Sequence, residues 1–300
     1  MPERSSVAEQ NQIVGLIGIG QLGVPVATNL LHAGFRVAGY RRHNLEEFVR
    51  LGGKAMESPA AVAQVADIVL LCLPSEQASQ EVLEGSNGLL GVLDSRHIVV
   101  ELGTYRKAFK LAQAEKVTAT GARVLEAEIS GSPPMVAGRK AAVYVGGDPE
   151  VLDVCRPILE AITPNLYHLG EYGKAVSMKL IANYLLAIHT LAAAEAVNMG
   201  TRAGFDPQLV AEVIQKGAGG SAMFGIRAPF MAARTFSPAP GPFNTLEKYL
   251  HLGRAMADEL GCATPLFSAA SPYFERALAS GMGEEDIAAV IKLIEADSKN

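Results

Sequence analysis

The chain holds only three cysteines in 300 residues, and Cys72, Cys155 and Cys262 are far apart among apolar neighbours. That excludes a disulfide framework and suits small buried hydrophobes in a reducing compartment. None stands where a nucleophile is expected. The six histidines are scattered, and no cysteine pair is close enough to complete a zinc site, so no metal is expected. Long basic runs are missing as well, and the net charge is −5. Phosphate-backbone binding needs a concentrated positive face, so nucleic acid is excluded as the main partner. The opening MPERSSVAEQNQ lacks the apolar core of a secretory signal. Residues 1–12 are expected to be a disordered tail and the protein to be cytoplasmic.

What is present is a chain that is 49% hydrophobic and long enough for two domains. From residue 13 to 168, β-rich runs alternate with amphipathic helical stretches. IVGLIG, FRVAGY, ADIVLLCLP, HIVVEL, ARVLEAEI, AAVYVGG and NLYHLG read as strands, the pattern of a βαβ sheet. After Gly170 the strand signal vanishes and helices broken by Gly and Pro take over, as at SPAPGPF. The expected fold is an α/β Rossmann-type N-terminal domain over 13–168 plus an all-α C-terminal domain over 169–300. A long helix at about 172–203 joins them.

The first strand runs into Gly18-Ile19-Gly20-Gln21-Leu22-Gly23, followed by a helical stretch and a second strand. A G-x-G-x-x-G match between strand and helix of a βαβ unit is the dinucleotide fingerprint. Gly18 is expected to permit the tight turn, Gly20 to let backbone approach a pyrophosphate, and Gly23 to let helix and strand pack closely. An NAD enzyme would place Asp or Glu at the end of the second strand. This chain has Tyr40-Arg41-Arg42-His43, with no acid before Glu46. Arginine there suits a 2′-phosphate, which favours NADP(H) over NAD(H).

Between Ala175 and Ala194 the only charge is Lys179. The run could span a bilayer, but Ser177, Lys179, Asn183, Tyr184, His189 and Thr190 make it a poor membrane segment, so a buried helix and no membrane partner are expected. A lysine is almost never buried without a reason, because desolvating its ammonium costs several kcal/mol. Residues 179 and 183 are four apart and share one helix face, where both can reach one small polar substrate. Ser130, Gly131 and Ser132 follow a strand, at the strand end where open α/β sheets bind ligands; their hydroxyls and N–H groups suit a carboxylate.

Four blocks together resemble the β-hydroxyacid dehydrogenase family, whose members include 3-hydroxyisobutyrate dehydrogenase and the tartronate and glyoxylate/succinic semialdehyde reductases. They are VGLIGIGQLGVPVATNLLHAGFRVAGYRRH, then ADIVLLCLPSEQASQEVL with ELGT, then EAEISGSP, and finally the helix with Lys179 and Asn183. The resemblance extends from Ile13 to about Leu293. It implies that Leu73, Pro74 and Thr104 border the nicotinamide ribose. It places Lys179 and Asn183 on the catalytic lysine and substrate-contacting asparagine of a K-x-x-N-N pattern. Lys179 would then act as general acid as hydride arrives, its pKa lowered by burial, in a cleft between the domains. Lys248 in LEKYLHLG falls on a lysine that contacts cofactor, with a free basic surface residue as the other reading.

Departures accompany the match. Glu126 and Glu128 stand where Asp and Pro are usual in the substrate loop, and Ser132 where a second glycine is usual. Ala175 and Ala182 replace a glycine and an asparagine, and Tyr249 stands where aspartate is common. These point to a remodelled pocket and leave open an imine reductase, or a cofactor-binding scaffold without catalysis. The sequence thus leads to the expectation of an NADPH-preferring reductase of a small aldehyde or keto acid. Its partners would be a small carboxylate-bearing substrate and further copies of the chain, as a homodimer or homotetramer.

Overall fold

The computed structural model describes residues 12–298, so the expected tail falls outside the described residues save for Gln12. The chain opens with β1 (Ile13–Ile17), α1 (Gly23–His32), β2 (Arg36–Tyr40), α2 (Glu46–Arg50), β3 (Lys54–Ala55) and α3 (Pro59–Ala63). It continues with β4 (Ile68–Leu71), α4 (Glu76–Glu84), β5 (Ile98–Glu101), α5 (Lys107–Thr118) and β6 (Arg123–Ser130). Then come α6 (Pro133–Ala137), β7 (Ala142–Gly147), α7 (Pro149–Ile162) and β8 (Asn165–His168). The remainder is helical: α8 (Lys174–Arg202), α9 (Pro207–Lys216), α10 (Ala222–Ala233), α11 (Phe243–Glu259) and α12 (Pro265–Ala279). A 3-10 turn at Ile287–Val290 leads into α13 (Ile291–Asp297). Two compact units divide at Lys179 and Leu180.

The first unit is built on one sheet in the order β3-β2-β1-β4-β5-β6-β7-β8. Strands β1, β4 and β5 pair in parallel and are apolar on both faces, as a sheet covered by helices on each side requires. Val14, Leu16, Ile68, Leu70, Ile98 and Val100 belong to one buried cluster. Their neighbours Ile17, Val69, Leu71 and Val99 belong to another. The alternation marks opposite faces of the sheet. Each such aliphatic side chain contributes roughly 1.5–3 kcal/mol when fully buried.

Two features depart from the sequence expectation. Strand β3 is only two residues, beside β2 at the sheet's edge, too short to leave a periodic signal. The β6–β7 pair is antiparallel, with Leu125 opposite Gly147 and Ser130 opposite Ala142. Residues 131–141 are too few for a parallel return, which needs a dozen or more residues.

The second unit packs helices around Leu191, Val197, Phe224, Phe243, Phe267, Phe274 and Ile291. Within it Arg227 Nη1 donates to Asp286 Oδ2 at 2.5 Å, and Asp286 also accepts from the backbone N–H of Gly241 and Ala288. Asp206 and Ser221 cap α9 and α10 by accepting first-turn N–H groups. Helix α8 is long and apolar enough to cross a membrane by length and composition, a test that a core helix also passes.

Candidate active site

The strand order reverses between β1 and β4, and ligands of open α/β sheets bind at that switch point, outside the carboxyl ends of the strands. The three fingerprint glycines differ there in a telling way. Gly18 has φ +97° and a Cβ on it would lie 2.2 Å from the Cys72 carbonyl oxygen; one on Gly23 would lie 2.2 Å from the Gly18 carbonyl oxygen. Both positions admit only glycine, one for turn and packing, the other for packing alone. Gly20 faces open space, with nothing within 4 Å of a Cβ built there. That is the cradle a pyrophosphate requires and a side chain would fill. The first turn of α1 has no side-chain cap and closes onto the loop itself, with the Val24 and Val26 N–H groups donating to the Gly20 and Leu22 carbonyl oxygens. Ile19, Gln21 and Leu22 complete the loop, with Ile19 buried. These residues fit a dinucleotide.

At the end of β2, Arg41 is exposed and lines a hollow of about 160 Å³ with Arg50, Ile19, Glu46 and Glu47. Arg42 is equally exposed but pairs with Glu81 at 3.5 Å. Arg41 is therefore the freer candidate for a phosphate. After β4, Leu73 offers its carbonyl oxygen to the Tyr105 hydroxyl at 3.0 Å, and Pro74 is exposed.

Strand β6 delivers Ser130, and Gly131 and Ser132 follow, all half-buried. A Cβ on Gly131 would lie 2.8 Å from that of Ala141, so glycine is required by close approach. On α8, Lys179 is 6% and Asn183 7% exposed, one turn apart on one face. Among the described residues the buried Nδ2 of Asn183 has no hydrogen-bond partner. A buried amide donor without a partner costs roughly 1–3 kcal/mol, and a substrate oxygen would satisfy it. Lys248 lies on α11 in the second unit, half-buried, with its ammonium 5.2 Å from the Tyr249 ring centroid.

Sequence reasoning missed a buried charge cluster behind the strand ends. Glu126 and Glu128, expected to reshape the pocket, are fully buried in β6 with their carboxylates turned to Lys110. Lys110 Nζ lies 2.9 Å from Glu126 Oε1 and 2.5 Å from Glu128 Oε1, and donates to the Gly103 carbonyl oxygen at 2.9 Å. Thr104, expected beside the nicotinamide ribose, is 5% exposed and turns its hydroxyl to Glu128 Oε2 at 2.5 Å. Glu101, the register partner of Glu126, accepts from the Gly103 N–H at 2.7 Å.

Three carboxyl groups around one ammonium cannot all be ionised cheaply in a dry interior. Burial pushes Glu101 up to about 8, so it carries the proton at neutral pH. Burial likewise raises Glu128, against the pull of Lys110. Burial would lower Lys110, but the Glu128 and Glu126 carboxylates outweigh it and hold the ammonium charged.

A pH dependence follows for Glu101, which keeps its proton to about pH 8 when folded but loses it near the ordinary 4.5 when unfolded. Its contribution to stability is fully present below about pH 4.5 and falls as pH rises through 8. Glu101→Gln cannot titrate, so its unfolding free energy should fall less steeply than the parent's between those limits. Urea unfolding at several pH values checks this, and identical slopes would refute it.

Comparison with known proteins places this geometry. Residues 13–170 match the family model described as the NAD binding domain of 6-phosphogluconate dehydrogenase. Residues 173–294 match the one described as NAD-binding of NADP-dependent 3-hydroxyisobutyrate dehydrogenase. The L-threonate dehydrogenase of Cupriavidus necator is 32% identical, over 93% of this chain and 95% of that protein. The chloroplastic glyoxylate/succinic semialdehyde reductase 2 of Arabidopsis thaliana is 28% identical, over 94% of this chain and 79% of its own length. A crystal structure of 3-hydroxyisobutyrate dehydrogenase from Salmonella typhimurium is 27% identical and superposes with a TM-score of 0.84, covering 94% of this chain and 99% of that one.

Proposed function

Since the chain belongs to the β-hydroxyacid dehydrogenase family of NAD(P)-dependent enzymes acting on CH–OH groups, we propose that it reduces a small aldehyde or keto acid with NADPH, Lys179 serving as proton donor. The observation that carries this reading is the buried pair on one face of α8: a lysine in an apolar helix, and one turn on an asparagine whose amide lacks a partner among the described residues. A substrate supplies that partner, and a lysine so placed has a reason to be buried.

The nicotinamide, when bound, supplies the hydride that the carbonyl carbon accepts. Lys179 Nζ holds the proton that passes to the carbonyl oxygen, and recovers one when the alcohol is oxidised. Asn183 orients the substrate through its free amide hydrogens. Ser130 and Ser132 bind the substrate carboxylate through hydroxyls, with the Gly131 N–H between them. The Gly18 to Gly23 loop holds the pyrophosphate.

Preference for NADPH rests on Arg41 and on the absence of an acid at the end of β2. Arg41→Ala is expected to raise the KM for NADPH at least tenfold and that for NADH less than twofold, because only the former carries the 2′-phosphate. Steady-state kinetics with both cofactors decide it, and equal losses would sink the assignment. The same proposal includes a cytoplasmic location and a homodimer or homotetramer. Met178, Ile181 and Leu185 leave an exposed apolar stripe on α8, which a second copy would cover. A monomer by light scattering at micromolar concentration would refute the oligomer.

A further inference from the structure

Helix α8 begins with N–H groups that its own backbone cannot pair. No serine, threonine or asparagine stands at its start, where Gly173 precedes Lys174. A carboxylate from far back in the chain takes that place. Glu126 Oε2 accepts from the N–H of Gly173 at 2.8 Å and of Ala175 at 3.1 Å, and Oε1 accepts from that of Val176 at 3.1 Å. A negative group at a helix N-terminus also meets the positive end of the helix dipole. Lys110, 2.9 Å from Glu126 Oε1, fixes the carboxylate from the other side.

Lys179 stands four residues beyond Ala175, one turn up the same helix, so a shift of the first turn is passed on to it almost rigidly. Strand β6 carries Glu126 and, four residues on, Ser130 at its carboxyl end. One strand therefore fixes both the carboxylate-binding loop and the start of the helix that presents the proton donor. Resting on the reading of Lys179 given above, we propose that Glu126, held by Lys110, is a positioning residue that sets where α8 presents Lys179 relative to the substrate loop.

Glu126→Gln keeps the shape but can accept with one oxygen only, and its amide group faces N–H donors. Misplacement of a catalytic group by about 1 Å can cost ~100-fold. Turnover of Glu126→Gln is therefore expected to fall at least tenfold with the KM for NADPH within twofold of the parent. Amide exchange should quicken in the peptide spanning residues 173–179 and not elsewhere. Leu159→Ala, in buried α7, is the control for stability loss alone and should keep kcat. Glu126→Asp, which retains a carboxylate on a shorter arm, should fall between parent and Gln in both kcat and local exchange. It decides the matter if Glu126→Gln does not fold.

The proposal is overturned if Glu126→Gln keeps kcat within threefold, or loses it only as far as Leu159→Ala does. It is overturned equally if Glu126→Asp quickens local exchange while kcat stays that of the parent. Failure here is distinct from failure of the Lys179 reading. An inactive Lys179→Ala beside a fully active Glu126→Gln removes the positioning role alone, whereas an active Lys179→Ala removes the proton donor.

Discussion

Lys179→Ala should lower kcat by ~100- to 10,000-fold, the range that a positioned general acid contributes. The Kd for NADPH should stay within twofold, because the fingerprint loop and Arg41 lie on other elements. The pairing of outcomes matters more than the size of the loss. A structural lysine would, when removed, weaken the fold and everything bound to it. Truncating Lys179 also removes the desolvation cost of a buried ammonium, and alanine is a good helix former that leaves α8 intact, so the fold should tolerate the change. Stopped-flow hydride transfer and NADPH fluorescence titration on the same sample separate chemistry from binding. A variant that keeps its rate, or that loses NADPH binding in step with rate, would refute the proton-donor role.

The second large effect is expected from Lys110, which is fully buried between Glu126 and Glu128. Lys110→Met removes the ammonium and leaves its carboxylate partners in the interior, a loss worth about 3–5 kcal/mol when a buried pair is broken on one side. The penalty has a pH sign. Glu128 is already raised by burial, and without Lys110 its folded form binds a proton more tightly still. Stability from such a group is present at low pH and lost as pH rises through the folded value. Lys110→Met should therefore be least harmful near pH 5 and most harmful near pH 8. Adding Glu128→Gln should recover part of the loss, since the two sites share one network. A cost below about 1 kcal/mol, or one independent of pH, would show that the cluster is not the charge-paired unit described.

Much of the fold was legible because its signals are local. The apolar runs of β1, β4 and β5 announce a parallel sheet, and the fingerprint between β1 and α1 announces the dinucleotide loop. Lys179 stood out because a single charge in so apolar a stretch needs an explanation. The charge cluster was not legible, because its members come from β5, α5 and β6 and meet only when the strands pair. Lys110 in KAFKLAQAEKVT looks like any lysine on a solvated helix. A signal did exist in VLEAEI, where Glu126 and Glu128 alternate with apolar residues and so share one face of a strand otherwise fit for the interior. Two buried acids on one strand face imply a cation opposite. Read as edits to the substrate loop, Glu126 and Glu128 instead turn their carboxylates inward to Lys110.

The antiparallel β7 has a similar lesson. Its composition is that of any buried strand, and its direction is set by the length of the link from β6 rather than by the strand itself.

The most direct test of the account is NADPH oxidation by the purified protein against glyoxylate, succinic semialdehyde, tartronate semialdehyde, methylmalonate semialdehyde and a cyclic imine. Turnover of at least one of the aldehyde acids is expected, faster with NADPH than with NADH, and none of the imine. Turnover of the imine alone, or tight NADPH binding with no turnover of any aldehyde acid, would contradict it.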